Sequence, residues 1–568
     1  MLIFEIFSLR CPLWLRWFNR KTKTTKERRF TNIFTYTDLQ ITRWATVKDC
    51  PYGIHRSSFI IKNMLPILLK DGYKVGHKFQ YPEGTMLVYS NLTPRNSRIK
   101  GVDEVVFFGL QYFIKEYLIR QFDDNFFKKP KAEVMAKYRR RMDNYLGKDA
   151  IAYEHIEALH DLGYLPLEIK ALPEGALVPM KIPVLTIRNT MPEFFWLTNM
   201  LETIMSAILW KPMTSATTAF QYLKTFTQFA TETVGDDLSF VPWQGHDFSF
   251  RGMSGVEDAV MSGAAHLLSF TGTDTIPAID FLEDYYNADC EKELIGGSVA
   301  ATEHSVLCMG TKDGEYETFV RLIEDIYPAG IVSIVSDTWD FWQVITEFLP
   351  QLKAQIMARD GKVVIRPDSG DPVLIICGDP DAPEGTPEHK GAIECIWEVF
   401  GGTITPQGYK LLDPHIGLIY GDSITTERQF QILNRLKTKG FASYNVVLGI
   451  GSYTYEYVTR DTFGFAMKAT YGEVNGIGRA IFKDPKTDNG TKKSAKGLMK
   501  VVKNDTGKYE LIDDVTWSEE AEGELKTVFK DGRLLVDWTL GEVRERMKAN
   551  LYYLNDYYFP SKLDVPVF

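Results

Sequence analysis

From about residue 245 the chain alternates short apolar, β-branched runs with helical stretches, and each run ends in a polar cluster. Ser249–Phe250 leads into Arg251-Gly252, and Leu268–Phe270 leads into Gly272-Thr273-Asp274. Gly297–Ala300 is followed by Thr302-Glu303-His304, and Ile331–Val335 by Ser336-Asp337. Lys362–Ile365 runs into Arg366-Pro367-Asp368-Ser369-Gly370, His415–Tyr420 into Gly421-Asp422-Ser423, and Tyr444–Leu448 into Gly449-Ile450-Gly451-Ser452. Seven strands alternating with helices predict parallel βα units. Chemistry at the C-terminal ends of many strands predicts an α/β fold with an irregular parallel (β/α) barrel. The competing open doubly wound sheet would gather ligands at one switch point.

The flanks read differently. Residues 64–240 mix a strand (Met86–Tyr89), helices (Val106–Arg120, Lys131–Tyr145) and a β-rich unit (Leu165–Ala171, Ala176–Val178, Ile182–Ile187). A helical region is expected to follow, Glu193–Trp210 and then Ser215–Glu232. After Arg460 the pattern returns to strands: Phe463–Tyr471, Gly478–Phe482, Leu498–Val502 and Tyr509–Ile512. The expected organisation is an accessory β-rich α+β domain over 64–240, completed by 461–545, a catalytic barrel over 241–460, and a tail over 546–568. Gly378–Gly391 reads as a surface insertion.

Charge separates the first residues from the rest. Residues 1–63 hold twelve Lys and Arg against four Asp and Glu, whereas the whole 568-residue chain has a net charge of -9. This basic extension is expected to be disordered or to precede the true start at Met64. An acidic body argues against nucleic acid as a partner. No run reaches about 18 consecutive apolar residues, so no membrane span is expected. Six scattered cysteines without a C-x-x-C pair fit reduced thiols and a cytoplasmic location.

The strand ends gather Arg251 and Arg366, the carboxylates Asp274, Asp337, Asp368 and Asp422, and His304. Guanidinium forks match phosphate oxygens, and carboxylates suit ribose hydroxyls or Mg2+. Gly449-Ile450-Gly451-Ser452 offers backbone N–H groups to a phosphate. Each signal alone is ordinary; the set points to a sugar-phosphate substrate. A metal hydrolase would want more histidines at strand ends, His246 and His266 reading as structural, and no Walker motif occurs.

These residues sit in a longer series: Asp71-Gly72-Tyr73-Lys74-Val75-Gly76-His77, His246-Asp247-Phe248-Ser249-Phe250-Arg251-Gly252, Glu303-His304-Ser305, Arg366-Pro367-Asp368-Ser369-Gly370 and Thr459-Arg460-Asp461. From about Met64 to Lys548 the chain resembles the nicotinamide phosphoribosyltransferases, which join nicotinamide to phosphoribosyl pyrophosphate. The resemblance implies a homodimer with shared active sites, Mg2+ as cofactor and ATP as co-substrate. It implies that Phe248 and the partner subunit's Tyr73 sandwich the pyridine ring, and that Asp274 receives the carboxamide NH2. Ser298, Val299 and Ser333 are implied substrate contacts. Arg251 and Arg366 are implied to hold the pyrophosphate, and Asp368, with Gly421 and Asp422, the ribose. Gly451 and Ser452, with the partner subunit's Arg95, Arg460 and Lys468, are implied to bind the 5-phosphate. His304 matches a phosphorylated histidine oriented by Asp337 or Glu303, and Lys483 and Lys492 match lysines that reach ATP phosphates. The sequence departs from the family at the loop Gly449–Tyr453 and at Ala466, where a serine is common. Two alternatives stay open: a nicotinate phosphoribosyltransferase, which Asp274 disfavours, and a non-catalytic binding or signalling protein on the same scaffold.

Overall fold

A computed structural model describes residues 64–482 and 495–555. The basic extension over 1–63 and the lysines 483 and 492 lie outside the described residues.

The seven expected barrel strands are present, in order and all parallel. They are Gly245–Asp247, Gly272–Thr273, Ala300–Ala301, Gly330–Val335, Gly361–Arg366, Ile416–Tyr420 and Val446–Ile450. Each pairs with its sequence neighbour or, for the last, with the first: Leu448 lies opposite Gly245. A parallel bridge from Gly272 to Gly297 joins the second strand to the segment that enters the third. The ring therefore runs in chain order, as successive βα units dictate. The first two strands lie a few residues from their expected positions, because Phe250–Gly252 forms a 3-10 turn and Leu268–Phe270 closes the preceding helix.

Strand alternation decides what faces inward. Val363 and Ile365 are fully buried against the helices, while Lys362, Val364 and Arg366 line the barrel interior. Val332 and Ile334 pair the same way with inward-facing Ile331 and Ser333.

A second, antiparallel sheet unites the chain's two flanks. Its order is Ile477–Ala480, Ala466–Val474, Thr85–Thr93, Leu185–Asn189, Leu167–Ala171, Lys526–Lys530 and Arg533–Leu534. Thr93 lies opposite Ala466, so the return of the chain after residue 460 completes a sheet begun before residue 100. The hairpin Leu498–Lys503 with Tyr509–Val515 closes on Tyr89 through Leu498 and Met499.

Between the sheets runs a helix of 32 residues, Glu202–Thr233. The two stretches expected on either side of residues 211–214 are one continuous helix. Proline removes one helical hydrogen bond, but buried Met205, Leu209, Met213 and Phe220 hold the helix on both sides of it. The Pro212 ring packs where a side chain on Gly109 would stand, 2.6 Å from a Cβ there; Gly109 also has φ +104°. The C-terminal helix Leu540–Asn555 runs past residue 546, where the tail was expected to begin. Among the described residues no helix is long and apolar enough to cross a membrane.

Candidate active site

The mouth of the barrel is assembled from the turn that ends each strand. After Asp247 the chain turns sharply: the Ser249 amide donates to Asp247 Oδ1 at 2.9 Å, and the Phe248 amide donates to the Ile450 carbonyl at 3.0 Å. Phe248 is thereby fixed over two glycines. A Cβ on Gly449 would stand 2.3 Å from its ring, and one on Gly421 3.3 Å from it. The ring needs bare backbone beneath it, which is why two strand ends carry glycine. His246, two residues earlier and inside the strand, lies against Phe248 with ring centroids 4.7 Å apart.

Asp274 follows the second strand. Its Oδ1 lies 2.9 Å from His246 Nε2 and accepts from Ser298 Oγ at 2.9 Å. Burial opposes its ionisation. The hydrogen bonds from His246 and Ser298 and the charge of Arg366 outweigh that and hold its carboxyl below the usual value. Its side chain is half-exposed to the cavity.

His304 opens the helix His304–Met309, with Nε2 3.1 Å from Asp337 Oδ1. Asp337 Oδ2 accepts the amide of Asp368 at 3.0 Å. Glu303, the other expected orienter, instead accepts from Ser305 Oγ. Arg366 donates from one terminal nitrogen to the Thr302 carbonyl at 2.7 Å. Its Nε is buried with no hydrogen-bond partner among the described residues, and the same holds for Ser333 Oγ. Both residues line the cavity, so both offer an unused donor to a ligand. The Arg366–Gly370 loop is closed by Asp371, which caps the next helix by accepting from the amides of Val373 and Leu374. Tyr420 donates to the carbonyls of Ser369 and Gly370, both at 2.9 Å. Asp422 accepts from Ser423 Oγ at 2.6 Å.

Gly451 caps the one-turn helix Ser452–Tyr455. Ser452 reaches the Arg251 turn: its Oγ stands 2.1 Å from where a Cβ on Gly252 would lie. The long helix braces both loops. Lys211 pairs with Asp258 at 3.1 Å, behind Arg251, and with Glu456 at 2.9 Å, behind Ser452. Tyr222 donates to the Ile424 carbonyl at 3.0 Å and lies 2.9 Å from Thr454 Oγ1.

Part of this set borders a cavity of about 1000 Å3 that runs the length of the barrel, whereas His304, Asp337, Asp368, Asp422, Gly451 and Ser452 are not among its lining residues. Phe248, Arg251, Asp274, Ser298, Val299 and Arg366 stand at the strand C-termini, and Trp243, Lys362 and Tyr444 at the other end. The volume is at the upper end for a small-molecule site. No cluster of three or more His, Cys, Asp or Glu capable of holding a metal occurs among the described residues.

Four expected residues stand apart. Tyr73 is exposed on the 3-10 turn Gly72–Gly76, pinned to the long helix by Lys74–Glu202 at 2.6 Å and by Thr203 Oγ1 donating to Asp71 at 2.8 Å. Arg95, Arg460 and Lys468 are exposed near Gly464, whose carbonyl accepts from Arg95 Nε at 2.9 Å. Among the described residues no hydrogen bond or ion pair joins these four to the mouth. His246 and Lys211 are the site groups that sequence reasoning missed. For His246 the signal was its closeness in sequence to Phe248, which had been singled out.

Residues 65–169 match the model of the nicotinamide phosphoribosyltransferase N-terminal domain, and residues 243–533 that of the nicotinate phosphoribosyltransferase (NAPRTase) family. The chain is 56% identical over 502 residues to the nicotinamide phosphoribosyltransferase of Acinetobacter baylyi, covering 86% of this chain and 98% of that one. It is 33% identical over 490 residues to that of Xanthomonas campestris pv. campestris, covering 85% and 98%. Among solved structures, nicotinate-nucleotide pyrophosphorylase from Pyrococcus furiosus superposes with a TM-score of 0.54 at 13% identity, covering 88% of this chain and 98% of that one. Human nicotinic acid phosphoribosyltransferase gives 0.51 at 15%, covering 86% and 94%. At such identities the two structures speak to the fold alone, and they bear out the α/β class read from the strand pattern.

Proposed function

The chain belongs to the nicotinamide phosphoribosyltransferase family, and from that premise we propose that it transfers the 5-phosphoribosyl group of phosphoribosyl pyrophosphate to nicotinamide, giving nicotinamide mononucleotide and pyrophosphate. The observation that carries the choice of substrate is Asp274. A carboxylate held below its usual pKa at the cavity wall accepts from a carboxamide NH2 and repels the carboxylate of nicotinate. The unpartnered hydroxyl of Ser333 can donate to the carboxamide oxygen.

The pyridine ring lies on Phe248, an offset stack being worth about 0.5–1.5 kcal/mol beyond buried area. The ring nitrogen lone pair attacks C1 of the sugar while the C1–O bond breaks and its electron pair leaves with pyrophosphate. Arg366, through its free Nε, and Arg251 meet the charge that develops on the leaving group. Asp368 and Asp422 face the ribose hydroxyls, and amides of the Gly451–Ser452 turn face the 5-phosphate. The donor set suits Mg2+, which takes one or two carboxylates and otherwise water and substrate oxygens. Asp368 and Asp422 would meet it, and its chemistry there is to neutralise pyrophosphate charge.

The exposed Tyr73 turn and the cluster of Arg95, Arg460 and Lys468 fit a homodimer in which each subunit completes the other's site. His304, hydrogen-bonded to Asp337 and open to solvent on its other side, is the group we assign to accept a phosphoryl from ATP, with Lys483 and Lys492 drawn to the ATP phosphates. The reading places the protein in pyridine nucleotide salvage.

The test is product formation by the purified full chain with Mg2+ and phosphoribosyl pyrophosphate, nicotinamide and nicotinate being supplied side by side. Preferential formation of nicotinamide mononucleotide is expected. Equal or better use of nicotinate overturns the substrate assignment, and no product from either favours a non-catalytic scaffold.

A further inference from the structure

His246 stands at the mouth without a role in the reaction as written. Its imidazole is firmly placed. It lies against the Phe248 ring, and it occupies the space above Gly272, where a Cβ would stand 2.6 Å from Nδ1. Nε2 faces Asp274 Oδ1 at 2.9 Å, so that nitrogen carries a hydrogen and donates it. Ser298 Oγ donates to the same oxygen at 2.9 Å. No hydrogen bond to Asp274 Oδ2 is formed among the described residues. One oxygen is thus saturated by the protein while the other remains for a ligand.

We propose that His246 is the positioning residue that sets the preference for a carboxamide over a carboxylate substrate, by fixing Asp274 as an oriented anion with one oxygen left to the ligand. The proposal rests on the reading of Asp274 given above. An aspartate free to rotate and to take up a proton can donate a hydrogen bond to nicotinate, and discrimination is then lost. Two donors converging on Oδ1 penalise the neutral acid and hold the carboxylate plane. His246 does so from inside a barrel strand, whereas Ser298 lies on an exposed segment. The imidazole also joins the anion to the Phe248 platform, so stacking and amide recognition share one support.

The experiment measures kcat/KM for nicotinamide and for nicotinate with the full chain. The variants are His246→Leu and His246→Ala, which lack the donor, and His246→Gln, which keeps one, each also combined with Asp274→Asn. The nicotinamide-to-nicotinate ratio is expected to fall about 10-fold or more in the Leu and Ala variants. His246→Gln should recover most of it, and no His246 change should move the ratio further once Asp274→Asn is present. A ratio equal to that of the unmodified protein in His246→Leu overturns the proposal, as does an equal fall in both Asp274 backgrounds. The Leu variant fills the ring's volume and covers the case in which the Ala variant does not fold. An unmodified protein that does not prefer nicotinamide overturns the functional assignment itself, a result visible before any His246 variant is made.

Discussion

The carboxylate of Asp337 is shared between His304, 3.1 Å from its Oδ1, and the backbone of Asp368, whose amide donates to its Oδ2 at 3.0 Å. One side chain, only 5% exposed, ties the imidazole assigned to phosphoryl transfer to the loop assigned to the ribose. Asp337→Asn keeps an acceptor for the Asp368 amide and removes the negative charge that faces the imidazole. Phosphohistidine formed from γ-labelled ATP should fall about 10-fold, the cost of a charge-assisted hydrogen bond made neutral. His304→Ala should abolish the acid-labile label. Labelling of Asp337→Asn at the unmodified level would separate this carboxylate from the phosphoryl step.

Gly449 has no left-handed backbone demand, so its constraint is purely steric. An added Cβ meets the Phe248 ring at 2.3 Å and must displace it. Gly449→Ala should raise KM for nicotinamide by up to about 10-fold, the worth of the lost stack, while KM for phosphoribosyl pyrophosphate moves far less. Overpacking should also cost about 1–3 kcal/mol of stability. Steady-state kinetics in each substrate, with a urea melt, measure both effects. Equal increases in the two KM values would mean that the whole mouth has shifted rather than one ring.

The barrel was legible because its signal is local and repeated: an apolar run, then a polar turn, seven times over. The strand ends that carry Asp274, His304, Asp337, Arg366 and Asp368 were legible for the same reason, since chemistry in a barrel collects where strands stop. What connects those ends was not. Asp337 meets the Asp368 backbone and Lys211 meets Glu456 only after the chain has folded, and neither contact has a sequence period. The helix Glu202–Thr233 was read as two stretches because the packing that carries it across Pro212 leaves no local signal. His246 was set aside as structural because it was read as preceding its strand, whereas it lies inside the strand Gly245–Asp247, two residues before Phe248.

Lys211 is 6% exposed and bridges Asp258 and Glu456, the posts behind the Arg251 turn and the Ser452 turn. Lys211→Met removes one charge and leaves two part-buried carboxylates facing each other, a defect of about 1–3 kcal/mol. The pH dependence has a definite sign. Burial already raises the Asp258 pKa against the pull of Lys211, and removing the lysine raises it further. A carboxyl with a raised folded-state pKa contributes stability at low pH and loses it as pH rises through that pKa. The variant should therefore recover part of its stability on acidification. Urea melts at pH 8 and pH 5.5 test this, and a deficit that does not shrink at the lower pH would show that Asp258 stays ionised without its partner.

Glu315 opens the helix Glu315–Arg321 with its Oε1 buried and without a hydrogen-bond partner. Burial, and then the charge of Asp340, push its carboxyl up from 4.5 to about 7. The folded chain thus holds a proton that the unfolded chain releases between those values. The stabilisation is complete below about 4.5 and is lost as pH rises through about 7. Glu315→Gln keeps the shape and cannot ionise, so its stability should lack this slope. Relative to the unmodified protein the variant should gain roughly 1 kcal/mol between pH 6 and pH 8, seen as melting curves that converge or cross. Asp340 caps the next helix by accepting from the Gln343 amide at 3.1 Å. A neutral residue at 315 should therefore leave that cap in place and remove only the repulsion. Parallel stability curves across this range would mean that the Glu315 carboxyl ionises at its ordinary pH, and that its burial is relieved in solution.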